Sequence, residues 1–173
     1  GFNVFLSFSE GNKVKVGSEV AGKGKTATST YSIYQSAGCV LTLDTYNEVM
    51  HYFADPETTG GQGAGFGFEG DFEFNVLDLQ DEKITLKGRK TGSTMTMTPM
   101  PVSMSWDDYI VALKEEESAI SKHTRIRYQT ADNKYDGRIN GRTLEIFSEV
   151  DGEQVTTSYP FIFNLMGVTF YKP

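Results

Sequence analysis

The sequence predicts a mainly antiparallel all-β fold, and two features carry that prediction. Apolar and polar residues alternate in short runs along most of the chain, and turn residues interrupt the runs at intervals of about ten residues. The alternation gives most runs one apolar side, which is typical of antiparallel sheets with one face in water. We therefore expect about a dozen strands in a lipocalin-like or otherwise partly open barrel, with a two-sheet β-sandwich as the alternative.

Strands are predicted in the first part of the chain wherever apolar residues occupy every second position. Short turn sequences such as "EGN", "SAG" and "QDEK" separate neighbouring runs. The alternating positions are Phe2, Val4, Leu6 and Phe8, then Val14 and Val16, Tyr31 and Ile33, Leu41 and Leu43, Phe72, Phe74 and Val76, Ile84 and Leu86, and Met95 and Met97.

A series of hairpins is predicted in the last third of the chain. Asn140-Gly141 and Asp151-Gly152 are dipeptides that supply the positive φ of tight hairpin turns. The alternating positions around them are Ile126 and Tyr128, Leu144 and Ile146, Phe161 and Phe163, and Val168 and Phe170.

A longer stretch near residues 106–120 has the period of a helix. Ser105 and Asp108 form a capping pattern at its start, and a "KEEE" sequence gives it a solvated face. We expect this helix to pack at an end or edge of the sheets. The apolar positions with helical spacing are Trp106, Tyr109, Ile110, Leu113 and Ile120.

A second, shorter helix is predicted near residues 46–54. Thr45 and Glu48 have the spacing of a capping box, and Pro56 follows the last apolar position. Such a segment has room for about two helical turns.

Length and charge limit the classes of function. A chain of 173 residues fits one β-rich domain spanning residues 1–173 with a sizeable core. The net charge of −7 repels phosphate backbones and anionic lipid headgroups, so a nucleic-acid partner is not expected. The locally basic segments "KGRK" (87–90) and "KHTRIR" (122–127) alternate like solvated strand faces, which is favoured over a functional basic patch.

No cofactor or metal is predicted, and a non-catalytic protein is favoured. Cys39 is the only cysteine, so it can form no internal disulfide, and we expect it to be a small buried apolar residue. His51 and His123 fit no zinc-binding pattern, and "DNKYDG" (132–137) has too few oxygen ligands for a calcium loop and is interpreted as a turn.

The glycine-rich segment "GAGFGFEGD" (63–71) fits the spacing G-x-G-x-x-G of dinucleotide sites but not their context. Such sites lie between a strand and a helix, whereas here a polar loop precedes the glycines and a strand pattern follows. Glu69 and Asp71 would also repel phosphate. We interpret residues 55–70 as a surface segment in which Phe66 and Phe68 pin the loop to the core, with a flap over a site as the less favoured alternative.

A ligand-binding site is predicted where the short helix, the glycine segment and their aromatic residues meet. The candidate residues are Asp44, Tyr46, His51, Phe66, Phe68, Glu69 and Asp71.

Two alternatives of other classes remain open. A hydrolase, with or without calcium, would need Asp44, Glu69 and Asp71 to converge within ligand distance. A structural or adhesive subunit would instead show an unpaired edge strand or a large apolar patch.

Three segments resemble a family of bacterial envelope lipoproteins, the domain of unknown function numbered 4302. They are "GCVLTLDTYNEVMHYFADP" (38–56), "EGDFEFNVLDLQDEKITLKGRKT" (69–91) and "YPFIFNLMGVTFYKP" (159–173), of which "LTLDTYNEVMHYF" is the most specific. The likeness covers most of the chain and implies no catalytic residues.

The resemblance implies export, a lipid anchor on a cysteine upstream of Gly1, and a location at the periplasmic face or cell surface. The chain opens on Gly1-Phe2-Asn3, without an initiator Met or a leader, and family members usually carry a further strand ahead of this region. We therefore expect a trimmed product lacking that strand. The expected partners are a small apolar molecule, a glycan or an envelope protein, with membrane contact only through the anchor.

Overall fold

The computed structural model describes residues 1–57, 67–131, 134–150 and 152–171. It consists mainly of antiparallel strands, with two short helices in these ranges, which confirms the predicted all-β class and fits both a partly open barrel and a sandwich. Contacts divide the chain into two compact units. We call them the seven-stranded unit (Val4–Trp106) and the five-stranded unit (Gly1–Asn3 with Asp107–Pro173).

The seven-stranded unit is an antiparallel meander in which each strand pairs with its neighbours in sequence. Helix α1 (Glu48–Ala54) connects the fourth and fifth strands and begins two residues later than the predicted helix. The strands are β1 (Val4–Ser9), β2 (Lys13–Ser18), β3 (Thr26–Gln35), β4 (Cys39–Leu43), β5 (Glu73–Gln80), β6 (Lys83–Gly88) and β7 (Thr94–Met97).

The core of this unit is the alternating apolar face that the sequence predicted. Leu6 pairs with Val16 and Val16 pairs with Ala27, so apolar side chains line up across neighbouring strands. Val49 and Met50 of α1 join the same cluster. Its buried members are Val14, Val16, Leu41, Leu43, Val49, Met50, Phe74 and Leu86.

On the opposite face of β1 and β2, the Trp106 ring packs against a glycine. Phe5 pairs with Gly17, and the Phe5 and Trp106 rings stack with centroids 5.7 Å apart. The Lys15 ammonium group lies 5.1 Å from the centroid of the Trp106 ring. Gly17 is buried, so the absence of a side chain there makes room for the indole.

Gly17→Ala is expected to destabilise the protein by about 1–3 kcal/mol, because overpacking forces a well-packed ring to move. A methyl group at this position would lie 2.9 Å from Cε3 of Trp106. A double-mutant cycle would measure the coupling free energy between position 17 and the indole of Trp106. It compares the urea unfolding of the wild type, Gly17→Ala, Trp106→Ala and the double variant. An equal cost of Gly17→Ala with and without the indole would contradict this explanation.

The five-stranded unit is a second antiparallel meander, of order β12-β11-β10-β9-β8. Gly141, with φ of 56°, forms the turn between β9 (Lys134–Asn140) and β10 (Thr143–Val150), as the Asn-Gly signal predicted. The elements are α2 (Trp106–Ser121), β8 (Arg125–Gln129), β9 (Lys134–Asn140), β10 (Thr143–Val150), β11 (Glu153–Asn164) and β12 (Gly167–Phe170).

Arg142, at the start of the β10 hairpin, holds the first residues of the chain in the five-stranded unit. Its Nη1 donates to the Gly1 carbonyl at 2.6 Å, and its Nη2 lies 3.1 Å from Oε1 of Glu117 on α2. The guanidinium also lies over the rings of Phe2 and Phe163, at 4.5 and 5.0 Å. The core of this unit consists of Leu113, Phe161 and Phe163, with Tyr109, Ile120, Ile139, Leu144 and Val168 around them.

Two predictions about single segments were wrong. Cys39 is exposed, because it occupies the first position of β4 directly after the Gly38 turn and pairs with exposed Gln35. Residues 134–137, interpreted as part of a turn, lie inside β9, where pairing with β8 and β10 outweighs the local turn propensity. In the part of the chain that is described, neither helix is long and apolar enough to cross a membrane.

Candidate functional site

The loop that leads into α1 is fixed to strand β3. The Asp44 amide donates to the Thr30 carbonyl at 2.9 Å, and the Ser32 hydroxyl donates to Oδ2 of Asp44. Thr45 was predicted to cap the helix, which was wrong: its hydroxyl oxygen accepts from the Thr30 amide at 3.1 Å. Asp44 and Thr45 therefore hold the loop on the sheet.

Asn47 is the residue that caps α1. Its Oδ1 accepts from the amides of Val49 and Met50 at 3.2 and 3.1 Å. Its Nδ2 donates to the Ala27 carbonyl at 3.3 Å and to Oγ of Ser29 at 3.1 Å. With 1% of its surface exposed, Asn47 uses its buried amide to join the first turn of the helix to β3.

Three aromatic rings are in contact beside the start of α1. His51 stacks on Phe72 with centroids 4.6 Å apart, and the Tyr46 ring lies 4.9 Å from His51, tilted by 45° to it. His51 Nδ1 lies 3.1 Å from the carbonyl oxygen of Asn47 and 3.2 Å from its amide nitrogen, so either tautomer is held. Tyr46 is 76% exposed. We call Tyr46, His51 and Phe72 the aromatic platform.

A second ring cluster lies at the other end of α1. Phe68 contacts Tyr52 and Phe53, each with a centroid distance of 5.8 Å, and the Gly70 amide donates to the Phe53 carbonyl at 2.7 Å. Phe68 thus pins its segment to the helix, as the favoured interpretation predicted. Phe66, the other phenylalanine of that interpretation, lies outside the described residues.

Asp71 is buried and supports a turn. Its carboxylate accepts from the Lys90 amide at 2.8 Å, from the amide and hydroxyl of Thr91, and from the Ser93 hydroxyl at 3.1 Å. A side chain at Gly88 would overlap this carboxylate, so the glycine permits the close approach. Asp71 is 4% exposed and organises the connection from β6 to β7.

The three candidate carboxylates make separate contacts. Asp44 accepts a hydrogen bond from Ser32 on β3, and Asp71 accepts hydrogen bonds from the turn after β6. Glu69 is exposed and has a left-handed φ of 52°. Among the described residues, no three His, Cys, Asp or Glu side chains are grouped as metal ligands would be. Within these ranges, no such group supports the calcium-assisted form of the hydrolase alternative.

Two depressions on the described surface lie in the five-stranded unit. One, on the exposed side of α2, is lined by Val111, Lys114, Glu115, Ser118 and Lys122. The other, of about 540 Å³, lies on strands β8 to β10.

Sequence reasoning missed Asn47 and Phe72. Phe72 was assigned to a strand interior, yet it precedes β5 and supports His51. Asn47 stands directly before the acidic first turn of α1, which is itself a capping signal, but the capping-box spacing of Thr45 and Glu48 was weighted more heavily.

The profile of a family described as "Domain of unknown function (DUF4302)" matches residues 1–173. This agrees with the resemblance of the three segments described above. Comparison with the curated proteins and comparison with the solved structures each find no match.

Proposed function

The chain belongs to the DUF4302 family, and from that premise we propose that it is a non-catalytic binding protein that holds a glycan on its aromatic platform. One observation carries the proposal: the Tyr46 ring is 76% exposed, yet it is held in place by contact with His51, which in turn stacks on Phe72. A ring supported on one side and exposed on the other offers a flat face that a ligand can cover.

The chemistry of the platform suits a sugar. The negative face of an aromatic ring attracts the polarised C–H groups on the apolar side of a pyranose. The ring and its loop are already ordered by contacts with β3, so little conformational entropy remains to be lost on binding. Asp44, two residues before Tyr46, uses Oδ2 for Ser32 and leaves Oδ1 to accept from a sugar hydroxyl.

The exposure of the Tyr46 ring favours a glycan over the other expected ligands. Sites for small apolar molecules usually bury about 70–90% of the ligand. A stable protein interface covers about 800 Å² on each partner, which is far more than one exposed ring and a carboxylate provide. A sugar chain lying across a supported ring needs neither a deep cavity nor a large flat patch.

We also propose that the protein works at the cell envelope through an N-terminal lipid anchor. Support comes from the resemblance of the segments at residues 38–56, 69–91 and 159–173. Fractionation of cells that express the full-length protein, with metabolic labelling by an alkyne fatty acid, would test this. Unlabelled protein in the soluble fraction would contradict the proposal.

Tyr46→Ala is expected to weaken oligosaccharide binding about two- to tenfold, because one ring contact contributes about 0.5–1.5 kcal/mol. Isothermal titration calorimetry with maltohexaose, cellohexaose, xylohexaose and chitohexaose would measure the affinity. Tyr46→Phe retains the ring and should bind like the wild type. Tyr128→Ala is the matched control, because Tyr128 is 60% exposed on β8, in the other unit.

Two outcomes would overturn the assignment of a glycan to the platform. The first is that the wild type binds none of these oligosaccharides. The second is that Tyr128→Ala weakens binding as much as Tyr46→Ala does, which would place the sugar elsewhere. Binding of the apolar dye anilinonaphthalene sulfonate that depends on Tyr46, without sugar binding, would indicate an apolar ligand instead.

A further inference from the structure

One face of the five-stranded sheet carries three arginines beside a phenylalanine. Arg125 on β8 pairs directly with Arg138 on β9. Arg127 on β8 pairs with Asp136 on β9, and Asp136 pairs with Phe147 on β10. These side chains line the depression of about 540 Å³. We call Arg125, Arg127, Arg138 and Phe147 the arginine groove.

The Arg125–Arg138 pair has no stabilising role in the sheet. Like charges directly opposite each other on antiparallel strands are destabilising. Arg125 has no ion-pair partner among the described residues, although the chain as a whole carries a net charge of −7. Within the described ranges, the charge of Arg125 is therefore not balanced by an ion pair, and a local rule broken in this way is expected at a functional site.

The other two guanidinium groups are held in position. Arg127 Nε lies 2.6 Å from Oδ1 of Asp136, and Arg138 Nε lies 2.6 Å from Oε2 of Glu145. The Arg138 guanidinium also lies over the Phe147 ring, 5.8 Å from its centroid. Both ion pairs engage Nε, which leaves the terminal Nη groups able to donate to a ligand.

The two carboxylates remain charged beside the arginines. The hydrogen bond from Arg127 lowers the pKa of Asp136, and hydrogen bonds from Asn140 and Arg138 lower the pKa of Glu145. They therefore hold Arg127 and Arg138 at neutral pH, while Arg125 has no carboxylate partner in the part of the chain that is described.

We propose that the arginine groove binds the carboxylate of an acidic sugar. The planar fork of a guanidinium matches a carboxylate with two parallel hydrogen bonds. On β11, exposed Ser158 pairs with Glu145 and exposed Thr156 pairs with Phe147, so hydroxyl groups continue the same rows of the sheet. These hydroxyl groups on β11 lie two strands away from β9. The distance is about 10 Å, which one or two sugar units would span.

The charge of the protein limits the size of this ligand. A net charge of −7 repels long polyanions, so a short sugar with one carboxylate fits better than a nucleic acid or a highly charged polysaccharide. The groove lies in the five-stranded unit and shares no residue with the aromatic platform. This inference therefore stands or fails separately from the proposed function.

Titration of the wild-type protein with sodium glucuronate, followed by NMR of the arginine Nε–H signals, tests the inference. We expect saturable shifts at the groove and none with glucose. Arg125→Gln should weaken glucuronate binding about tenfold or more, because it removes a charge-assisted pair of hydrogen bonds. Lys122→Gln is the matched control: it removes the same charge from the other depression and should leave the affinity unchanged.

Stability measurements separate loss of the site from loss of folding. Arg125→Gln removes one of two opposed like charges, so it should leave the stability to urea equal or higher. Glucuronate shifts that are unaffected by Arg125→Gln would overturn the inference. Inorganic phosphate that binds the groove tenfold more tightly than glucuronate would also overturn the inference, because the preferred ligand group would then not be a carboxylate. Tyr46→Ala should not change glucuronate binding.

Discussion

Asp71→Ala is expected to lower the free energy of unfolding by about 3–5 kcal/mol, one of the two largest effects predicted for this protein. The carboxylate is 4% exposed and accepts hydrogen bonds from Lys90, Thr91 and Ser93. Hydrogen bonds to a charged group contribute about 1.5–3 kcal/mol, and each buried amide left without an acceptor adds a desolvation cost. The turn between β6 and β7 would lose its main support.

Chemical denaturation monitored by circular dichroism would measure this change. Glu69→Gln is the matched control, because it removes a nearby carboxylate that is exposed, and its effect should stay within about 0.5 kcal/mol. Asp71→Asn keeps one acceptor oxygen and should fall between the two. If Asp71→Ala were as stable as Glu69→Gln, the supporting role of the carboxylate would be refuted, and Asp71 would return to the list of candidate ligand contacts.

Asn47→Ala is expected to cost about 2–4 kcal/mol and to weaken glycan binding together with stability. Loss of an N-cap side chain lowers the free energy of unfolding by about 1–2 kcal/mol. Removal of Nδ2 also takes a donor away from the partly buried Ala27 carbonyl and from the buried Ser29 hydroxyl. Because α1 carries His51, a helix that frays at its first turn also releases the support of Tyr46.

Two companion variants would separate the roles of Asn47. Asn47→Asp retains an acceptor for the helix amides but loses the donor to β3. Its free energy of unfolding should therefore fall only by the contribution of the hydrogen bonds to β3. Thr45→Ala removes only an exposed hydrogen bond and should cost less than about 1 kcal/mol. A larger loss for Thr45→Ala than for Asn47→Ala would restore Thr45 as the cap.

The sheets were predictable because their signals are local. Alternation in "VFLSFS", "KVKVGS" and "EFNVLDLQ" coincides with strands β1, β2 and β5, and the Asn-Gly dipeptide coincides with the turn at Gly141. Residues 134–137 were misjudged because the turn propensity of Asp136-Gly137 is local, while the pairing of β9 with β8 and β10 is not. Propensity in strands depends strongly on such context.

The candidate site was predicted in part. Proximity in sequence brought Tyr46 and His51 together, and the structure places their rings in contact. Asp71 was grouped with them because it is acidic and near the glycines, yet its partners are about 20 residues further along the chain, which only the fold reveals. The basic segment "KHTRIR" was interpreted as a solvated strand face, and the arginine groove was not predicted because Arg125 and Arg138 meet only through strand register.

Residues 1–3 belong to the same unit as residues 107–173. In chain order, the seven-stranded unit is therefore inserted within the five-stranded unit. Contacts inside each sheet join strands adjacent in sequence, whereas the hydrogen bond from Asn3 to Phe163 joins positions 160 residues apart. Loop closure over such a separation is entropically costly, and folding slows as contacts become less local. The inserted meander can therefore form hairpin by hairpin during synthesis, while capture of residues 1–3 must wait until β11 has emerged.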